Sequence, residues 1–443
     1  MDDLFVSGAE SEIGSDDVPV ASEQFVICER GRLRCGFTTG SCAAMASLAC
    51  VRALLTGRFP DYVELVTPKG WKACAEVERA SFLQPNRAED ESQSTESGQP
   101  IKSKAEAIHS ALKAKSEETG SLRAVCAVRK DAGDDADVTD GLLIFAQVEL
   151  EKKEDCGVQV EIKGGKGVGI VTLSGLEQKV GEAAINSVPR KMICEAVRRE
   201  CARRGFKGKA RVTIEVPEGE RAAERTFNGR LGIKGGISIL GTSGVVEPMS
   251  ESALLSSIEA EIKMLAVLCR DGQNTGGSCA EGKGENTRRA LILTPGNYGI
   301  SFVRTFDSLK DVRAVKCSNF IGRAIDFACA YGFNELIIAG HAGKLVKLAG
   351  GIMNTHSAVA DCRVEIIGFH AALSGASQNV IAKISECATA DAAFDTLEEA
   401  RLLQSVINSL YKAARRCIRH RIRNNADFKF LMFTNKRGLL KET

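Results

Sequence analysis

Two polar segments near the start of the chain combine residue types that can bind a ligand. In GFTTGSCAA, residues 36–44, Thr38, Thr39 and Gly40 stand immediately before a helix-forming run. Free backbone N–H groups at a helix start favour an anion, and threonine hydroxyls add further donors. The same pattern is typical of an ordinary helix cap, so the residues alone leave both interpretations open.

The second segment, KDAGDDADVTDG at 130–141, crowds five aspartates together, among them Asp131, Asp134 and Asp135. Carboxylates this dense repel one another unless a cation, an arginine or backbone donors relieve them. Their spacing departs from that of a calcium-binding loop. A metal ion, the cationic part of a ligand and a self-contained turn are the three interpretations that fit.

Cations lie in glycine-dense segments further along the chain. Arg190 is in NSVPRKM, and Arg230 and Lys234 are in FNGRLGIKGG. Glycine permits close approach of a ligand to the backbone, and arginine offers a fork for carboxylates. A set of tight turns is the alternative. The glycine run GGKGVGIVT, residues 164–172, is followed by β-branched residues rather than a helix, which favours a hairpin turn over a nucleotide-binding loop.

Polar groups also follow the apolar runs of the C-terminal half. TPGNYG contains Asn297, CSNFIG contains Asn319, and GHAGKLVKLAGG contains His341, Lys344 and Lys347. Each segment follows a predicted strand, where the loops of a parallel sheet bind ligands. For His341 the alternative is a hydrogen-bonded packing residue, although its place in a loop favours function.

Hydrophobic periodicity predicts the elements that position these groups. We expect helices at 41–56, 189–204 and 251–268. We expect strands at 62–66, 71–78, 122–130, 142–150, 158–162 and 210–217, and then at 290–294, 312–316, 335–339 and 364–368. The pattern predicts an α+β domain over 31–250, followed by an α/β domain over 251–410 with a Rossmann-like parallel sheet.

Polar segments flank and interrupt these two domains. Residues 1–30 are expected to be a disordered acidic tail, since the first 25 residues hold seven acidic side chains and no basic one. Polar insertions are expected at 86–120 and at 270–289. Residues 411–443 hold ten basic and two acidic residues and are expected to be a basic C-terminal extension, either a solvated helix and tail or a contact for an anion.

Composition excludes several classes of protein. The formal net charge of +2 and the 5% aromatic content argue against a nucleic-acid binder. We expect a cytoplasmic protein, because no apolar run approaches the ~20 residues of a membrane span and the acidic start does not resemble a secretory signal. The 16 cysteines include no C-x-x-C pair, which favours buried thiols in a reducing compartment over a protein-bound metal.

Eight segments, in order, closely resemble the CbiD family. They are FTTGSCAA, DAGDDADVT, GGKGVGIVT, AINSVPR, TFNGRLGIKGGISILGTSGVVEPMSE, TPGNYG, CSNFIG and GHAGKLVKLAGGIMNTHSAVAD. The resemblance covers roughly residues 33–400 apart from the insertions. It implies transfer of a methyl group from S-adenosylmethionine to ring carbon 1 of cobalt-precorrin-5B, giving cobalt-precorrin-6A and S-adenosylhomocysteine in cobalamin biosynthesis. The cobalt belongs to the tetrapyrrole substrate, so no protein-bound metal is expected.

That reaction suggests roles for the polar residues. Groups expected to bind the substrate's carboxylates are Thr38, Thr39, Gly40, Arg190, Arg230, Lys234, Lys344 and Lys347. Groups expected to bind the cofactor are Asp131, Asp134, Asp135, Asn297 and Asn319. His341 is the candidate for proton transfer, since an unperturbed imidazole titrates near ~6.5.

Expected partners are the tetrapyrrole and, transiently, other enzymes of the pathway, with no nucleic acid and no membrane; the sequence predicts no oligomeric state. Without the resemblance, an ATP-dependent phosphotransferase and a non-catalytic tetrapyrrole carrier stay open.

Overall fold

The structure is a computed structural model that describes residues 24–28, 31–83, 121–153, 157–270 and 288–441. The chain divides into two compact units. The first comprises residues 1–172 and 177–250, and the second comprises residues 173–176 and 251–443. The main division thus lies between Ser250 and Glu251.

The helices of the described residues are α1 Thr39–Thr56, α2 Ser187–Arg203, α3 Gly219–Ala223, α4 Glu251–Arg270, α5 Asn297–Val303, α6 Ile321–Ala330, α7 Ala342–Leu345, α8 Arg363–Leu373, α9 Gln378–Ser385, α10 Ala390–Glu399 and α11 Leu403–Ile422. The strands of the first unit are β1 Phe25–Cys28, β2 Gly31–Arg34, β3 Gly36–Phe37, β4 Tyr62–Val66, β5 Lys72–Glu76, β6 Glu78–Leu83, β7 Ser121–Arg129, β8 Leu143–Lys152, β9 Gln159–Gly164, β10 Gly167–Val168, β11 Ile170–Val171, β12 Gly208–Glu215, β13 Ile233–Lys234, β14 Gly236–Ile237 and β15 Val245–Val246. Those of the second unit are β16 Ala290–Thr294, β17 Ala314–Lys316, β18 Glu335–His341, β19 Asp427–Thr434 and β20 Gly438–Lys441.

The first unit is built on a five-stranded sheet with the order β6-β7-β8-β12-β9. All neighbours pair antiparallel except β12 and β9, which are parallel. Burial alternates along β8 and β12, because successive side chains of a strand point to opposite faces. The buried face packs against α1, and α1 packs against α2. These contacts form the core of the unit.

Helix α1 has the length and apolar composition of a membrane span, with a mean hydropathy of 1.3 over 18 residues. However, 83% of that stretch is buried inside the protein, as expected for the central helix of a core. Its small residues, such as Ala43, Ala44 and Ala46, are fully buried and let the sheet and α2 approach closely.

The glycine run at 164–172 does not form the expected hairpin. Its strands β10 and β11 pair instead with β14 and β13, which lie more than 60 residues further along the chain. Gly167 has a φ of +72°, and a Cβ there would overlap the carbonyl oxygen of Val216. The glycines therefore allow two backbone segments to pack closely against each other, a contact that local sequence patterns do not reveal.

The second unit is built on a sheet with the order β17-β16-β18-β19-β20. The first four strands are parallel, and β20 is antiparallel to β19. Every residue of β16 is buried, as is typical of a parallel strand covered by helices on both faces. Both units thus combine helices with sheets.

Three further expectations about the elements were wrong. Residues 364–368 lie in α8 rather than in a strand, because Ile367, His370 and Ala371 form a helical buried stripe that a short apolar run disguises. Residues 25–28, placed in a disordered tail, form β1 and pair with β2. The expected extension at 411–443 contributes the end of α11 and the sheet strands β19 and β20.

Most of the two insertions lies outside the described residues, at 84–120 and 271–287, as do residues 1–23.

Candidate functional site

The start of α1 is closed by the chain's own loop at 238–244. Thr38 caps the helix, its Oγ1 accepting from the backbone N–H of Ser41 over 3.2 Å. The N–H of Gly40 donates to the carbonyl of Leu240 over 3.1 Å, and the N–H of Thr38 donates to that of Gly244 over 3.2 Å. The Thr39 hydroxyl accepts from the N–H of Leu240 over 3.0 Å. These contacts favour the helix-cap interpretation over an anion site.

The aspartate segment is a loop whose carboxylates are held by donors of the same unit. Asp131 forms a bidentate ion pair with Arg34, at 2.5 and 2.8 Å. Asp134 accepts from the backbone N–H of Arg34 over 2.6 Å, and Asp135 accepts from that of Met249 over 3.1 Å. The self-contained turn is thus the interpretation that the contacts favour. The carboxylate of Asp131 is half exposed and stays accessible to a ligand.

Two of these carboxyl groups have lowered pKa values. The hydrogen bonds from Arg34 hold the pKa of Asp131 below its usual 3.8, against a smaller opposing effect of burial. For Asp137, burial alone would raise the pKa, but the charge and hydrogen bond of Lys130 and the donors of Thr139 outweigh it and lower the pKa. The Lys130 ammonium is almost fully buried, 2.7 Å from the Asp137 carboxylate. Both aspartates are therefore held as anions.

The three cationic side chains expected to bind substrate in the first unit differ in how accessible they are to a ligand. Arg190 is half-buried, and its guanidinium donates to the carbonyls of Ile185 over 2.9 Å and Ile162 over 3.2 Å. It joins α2 to the sheet. Arg230 is exposed and lies 5.5 Å from the ring of Phe227. Lys234 is exposed on β13. Arg230 and Lys234 are thus the cations of this set that can reach a bound carboxylate.

In the second unit the strand order creates a crevice. After β16 the chain moves to β17 on one side, and it then returns to β18 on the other side of β16. Ligands of open parallel sheets bind at such a reversal, outside the carboxyl ends of the strands. Gly296 and Asn297 follow β16, and His341 ends β18. Nothing lies within 4 Å of the Cβ position of Gly296, so the backbone there faces open space.

Asn319, Lys344 and Thr355 lie beside this crevice and are joined by hydrogen bonds. The Lys344 ammonium donates to Oδ1 of Asn319 over 2.8 Å, and the Thr355 hydroxyl donates to the same oxygen over 3.4 Å. Because Oδ1 of Asn319 accepts two hydrogen bonds, the orientation of the amide is fixed. The N–H groups of the Asn319 amide are then the donors that a ligand can use. Burial lowers the pKa of Lys344, and Lys347 adds to the effect.

Lys347 is buried and holds the loop that follows the 346–350 turn. Its ammonium donates to the carbonyls of Ala360 over 2.8 Å and Thr355 over 3.1 Å, and it lies 3.5 Å from the Asp361 carboxylate. With 2% of its surface exposed, Lys347 stabilises the loop around Thr355 and has no surface left for a substrate carboxylate.

His341 caps α7 with its imidazole. Nδ1 accepts from the backbone N–H of Gly343 over 3.1 Å, which places the proton of the neutral ring on Nε2. Nε2 faces Oδ2 of Asp391 at 3.6 Å. Both ring nitrogens thus have partners within the unit. The contacts account for a positioning role, and proton transfer by His341 stays a prediction.

A basic groove with a volume of about 1120 Å³, not predicted from the sequence, lies among the described residues of the second unit. It lies between α6, the turn at 351–353 and the end of α11. Its lining residues are Asp326, Cys329, Ala330, Gly351, Met353, Arg416, Cys417, His420, Arg421, Arg423 and Asn425. Arg416, His420 and Arg423 are four and three residues apart, a spacing that places side chains on one side of a helix and its end. This spacing is the sequence signal from which the groove was predictable.

The predicted site residues are therefore distributed over both units. The substrate set has Thr38, Thr39, Gly40, Arg190, Arg230 and Lys234 in the first unit, and Lys344 and Lys347 in the second. The cofactor set likewise divides, with the three aspartates in the first unit and Asn297 and Asn319 in the second. Within residues 24–28, 31–83, 121–153, 157–270 and 288–441, no group of three or more His, Cys, Asp or Glu side chains is placed to hold a metal ion.

Comparison with known proteins adds independent information. A family model described as CbiD matches residues 27–99 and 93–248, and a model described as CbiD, C-terminal domain, matches residues 354–443. A solved structure titled as a cobalamin biosynthesis protein (cbiD) from Archaeoglobus fulgidus is 26% identical. The match covers 76% of this chain and 87% of that one, with a TM-score of 0.34.

Several curated relatives share one name, cobalt-precorrin-5B C(1)-methyltransferase. The relative from Ruminiclostridium cellulolyticum is 40% identical over 413 residues, covering 93% of this chain and 92% of that protein. The relative from a Thermoanaerobacter species is 39% identical over 379 residues, with coverage of 85% and 86%. That from Salmonella typhimurium is 38% identical over 368 residues, with coverage of 83% and 80%. The similarity thus extends over nearly the whole chain.

Proposed function

The chain belongs to the CbiD family, and we propose that it is the cobalt-precorrin-5B C(1)-methyltransferase of its organism. It transfers a methyl group from S-adenosylmethionine to ring carbon 1 of cobalt-precorrin-5B, and its products are cobalt-precorrin-6A and S-adenosylhomocysteine. The observation that carries this proposal is the match of 40% identity over 413 residues to a relative of that name.

Residues around the crevice at the ends of β16 and β18 suit the methyl donor. The open space at Gly296 admits a ligand to the backbone, and Asn297 is exposed beside it. The ring of Tyr298 is 74% exposed and offers an apolar face to a nucleobase. When bound, S-adenosylmethionine supplies an electrophilic methyl group on a sulfonium. We place it in this crevice, with the amide N–H groups of Asn319 donating to it.

The arrangement of the sheet supports that placement. Four parallel strands with the order β17-β16-β18-β19, with helices following the carboxyl ends of β16, β17 and β18, are typical of Rossmann-like nucleotide-binding domains. We assign the second unit to that class on this basis. Arg230 and Lys234 of the first unit are exposed cations, and their binding of substrate carboxylates stays a prediction.

The chain's own residues contribute position and electrostatics rather than covalent chemistry. Displacement at a sulfonium by an electron-rich ring carbon needs no protein nucleophile. Lys344 holds the Asn319 amide in one orientation, and Lys347 holds the loop that carries Thr355, so the donors are fixed before the ligand binds. Thirteen described cysteines are free thiols, which supports a reducing, cytoplasmic setting.

The reaction is tested by incubating the purified full chain, without oxygen, with isotopically labelled S-adenosylmethionine and cobalt-precorrin-5B. Mass spectrometry should show the gain of one labelled methyl group, mapped to ring carbon 1. Binding of the macrocycle with no methyl gain, in a folded preparation, would instead support a tetrapyrrole carrier. Product formation only with ATP would support a phosphotransferase.

The cofactor placement is tested with Asn319→Ala. Loss of the fixed amide should raise the KM for S-adenosylmethionine about tenfold, the effect of one or two hydrogen bonds. Asn379→Ala is the matched control, because Asn379 is exposed on α9, away from the strand ends. Equal KM values for the two variants would place the cofactor elsewhere.

A further inference from the structure

We propose that the basic groove of the second unit binds the peripheral carboxylates of the tetrapyrrole substrate. This inference rests on the proposed function and extends it, because none of the predicted substrate-binding residues lines the groove. The groove is formed within one unit, by the face of α6, the turn at 351–353 and the last two turns of α11.

The walls of the groove are fixed by direct contacts. Arg421 forms a bidentate ion pair with Asp326, at 2.9 and 2.6 Å, and its Nε also donates to the carbonyl of Gly322 over 3.0 Å. The N–H of Gly322 donates to the carbonyl of Met353 over 3.1 Å. A Cβ at Gly322 would lie 2.6 Å from that of Met353, so only glycine permits this approach. These contacts join all three walls, which favours a groove formed before a ligand binds.

The charge that remains in the groove is positive. Asp326, the acidic lining residue, is already neutralised by Arg421. Arg416 and Arg423 are exposed and supply two permanent positive charges, and the exposed imidazole of His420 lies between them in the sequence. Asn425 adds an amide donor at the end of the row. Such a row of forked donors matches carboxylates at several points on one ligand.

The backbone conformation at Arg423 makes this residue suitable for substitution by glycine. Arg423 follows the last residue of α11 as its C-cap, with a φ of 52°, in the left-handed region that glycine prefers at helix ends. A residue other than glycine costs free energy in that conformation. The chain thus holds an arginine, facing the groove, where glycine would be the more favourable choice for folding alone.

Size and shape point to a large ligand. Ordinary ligand pockets measure roughly 300–1000 Å³, so a volume of about 1120 Å³ accommodates a macrocycle. Ala330, Gly351 and Met353 supply an apolar surface for the ring, while the arginines of the lining supply donors for its carboxylates. The groove lacks the exposed aromatic rings on which single-stranded nucleic acids stack, which favours the tetrapyrrole over RNA.

The proposal is tested by measuring binding of a free-base octacarboxylate porphyrin to the full chain by fluorescence. Arg416→Gln and Arg423→Gly should each raise its Kd about tenfold, and the KM for cobalt-precorrin-5B should rise with it. Arg423→Gly should keep the fold, since glycine relieves the strain at that position. Arg419→Gln is the matched control, with the same loss of charge on the same helix but outside the lining, and should leave the Kd unchanged.

Several outcomes would overturn the proposal. An equal rise in Kd for all three variants would show a general effect of charge, and no rise for any variant would place the macrocycle elsewhere. Equally tight binding of inorganic tripolyphosphate or of an RNA oligonucleotide would show a site not made for carboxylates. If wild-type protein transfers the methyl group and the groove variants do so with unchanged KM, the location fails while the proposed function stands. If the groove binds the porphyrin but wild-type protein transfers no methyl group, the proposed function fails.

Discussion

Charged side chains in this protein fall into two classes that residue type alone does not distinguish. Lys130, Lys347 and Arg190 are buried or half-buried and donate to groups of their own unit. Arg230, Lys234 and Arg423 are exposed. Because a buried cation is costly unless it is paired, the first class contributes to stability, whereas the second is available to anionic ligands.

The Lys130–Asp137 pair predicts a dependence of stability on pH. The pKa of Asp137 is lower in the folded protein than its usual 3.8, so the folded state binds fewer protons in acid than the unfolded state. The stabilisation is therefore complete above pH 3.8 and is lost as the pH falls through the lower, folded pKa. Asp137→Asn should lower the free energy of unfolding by about 3 kcal/mol at pH 7, since it leaves Lys130 buried and unpaired.

Urea denaturation at a series of pH values measures this effect. The difference between wild type and Asp137→Asn should shrink below pH 3.8. Asp61→Asn, at an exposed position of the same unit, should differ little from wild type throughout. A constant difference between wild type and Asp137→Asn at all pH values would contradict a role for the charge of Asp137.

A positioning role for His341 predicts different outcomes for its substitution by alanine and by asparagine. His341→Ala removes the acceptor that caps α7 and should lower stability by about 1 kcal/mol. His341→Asn supplies a side-chain acceptor at the same position, so stability and most of the turnover should be kept. Steady-state kinetics of both variants provide the measurement. Loss of turnover in a stable His341→Asn protein would instead support proton transfer by the imidazole.

At the scale of elements, β19 connects the C-terminal segment to the sheet. It pairs in parallel with β18 over seven residues, from Glu335 with Asp427 to His341 with Phe433. His341 at the end of β18 therefore depends on a strand almost 90 residues further along the chain. Residues 411–443 thus support the crevice at the ends of β16 and β18 directly, although their basic composition suggested a solvated extension.

Phe430→Ala tests how strongly the fold of the second unit depends on β19. Phe430 is 1% exposed and packs against the ring of Tyr411, so its loss should cost about 3–5 kcal/mol. Lys429→Ala, its neighbour on β19, removes only a partly exposed ion pair with Glu335 and should cost under about 1 kcal/mol. Chemical denaturation followed by circular dichroism gives both values. Equal costs would mean that β19 is not part of the folded sheet.

At the scale of the whole molecule, each of the two units has a core of its own. One core lies between α1, α2 and the sheet of the first unit, and the other lies around β16 and β18. Since cooperative unfolding follows packed cores, a core substitution should first loosen the unit that contains it.

Hydrogen exchange followed by mass spectrometry tests this expectation. Ile193→Ala, at a fully buried position of α2, should raise exchange across β7, β8 and β12. Phe430→Ala should raise exchange across β16, β18 and β19. A rise spread evenly over both units in either variant would show that the protein unfolds as one cooperative body.

Short-range sequence patterns predicted most of the elements, and the order of the motifs predicted the family. Helices such as α1 and α2 and strands such as β8 and β12 carry local periodicities that their own residues specify. The ordered motifs also predicted membership of the CbiD family, which the comparisons confirm. These features depend on neighbouring residues or on motif order, and both are readable in one dimension.

Long-range packing decides which polar groups bind partners within the protein and which are available to a ligand. Thr38 and Gly40 donate to residues about 200 positions away, and Lys347 is buried by the loop it holds. The groove needs α6, the 351–353 turn and α11 together, and β19 reaches its place only through pairing with β18. Long-range contacts decide burial, and burial decides whether a charged side chain stabilises the fold or binds a ligand.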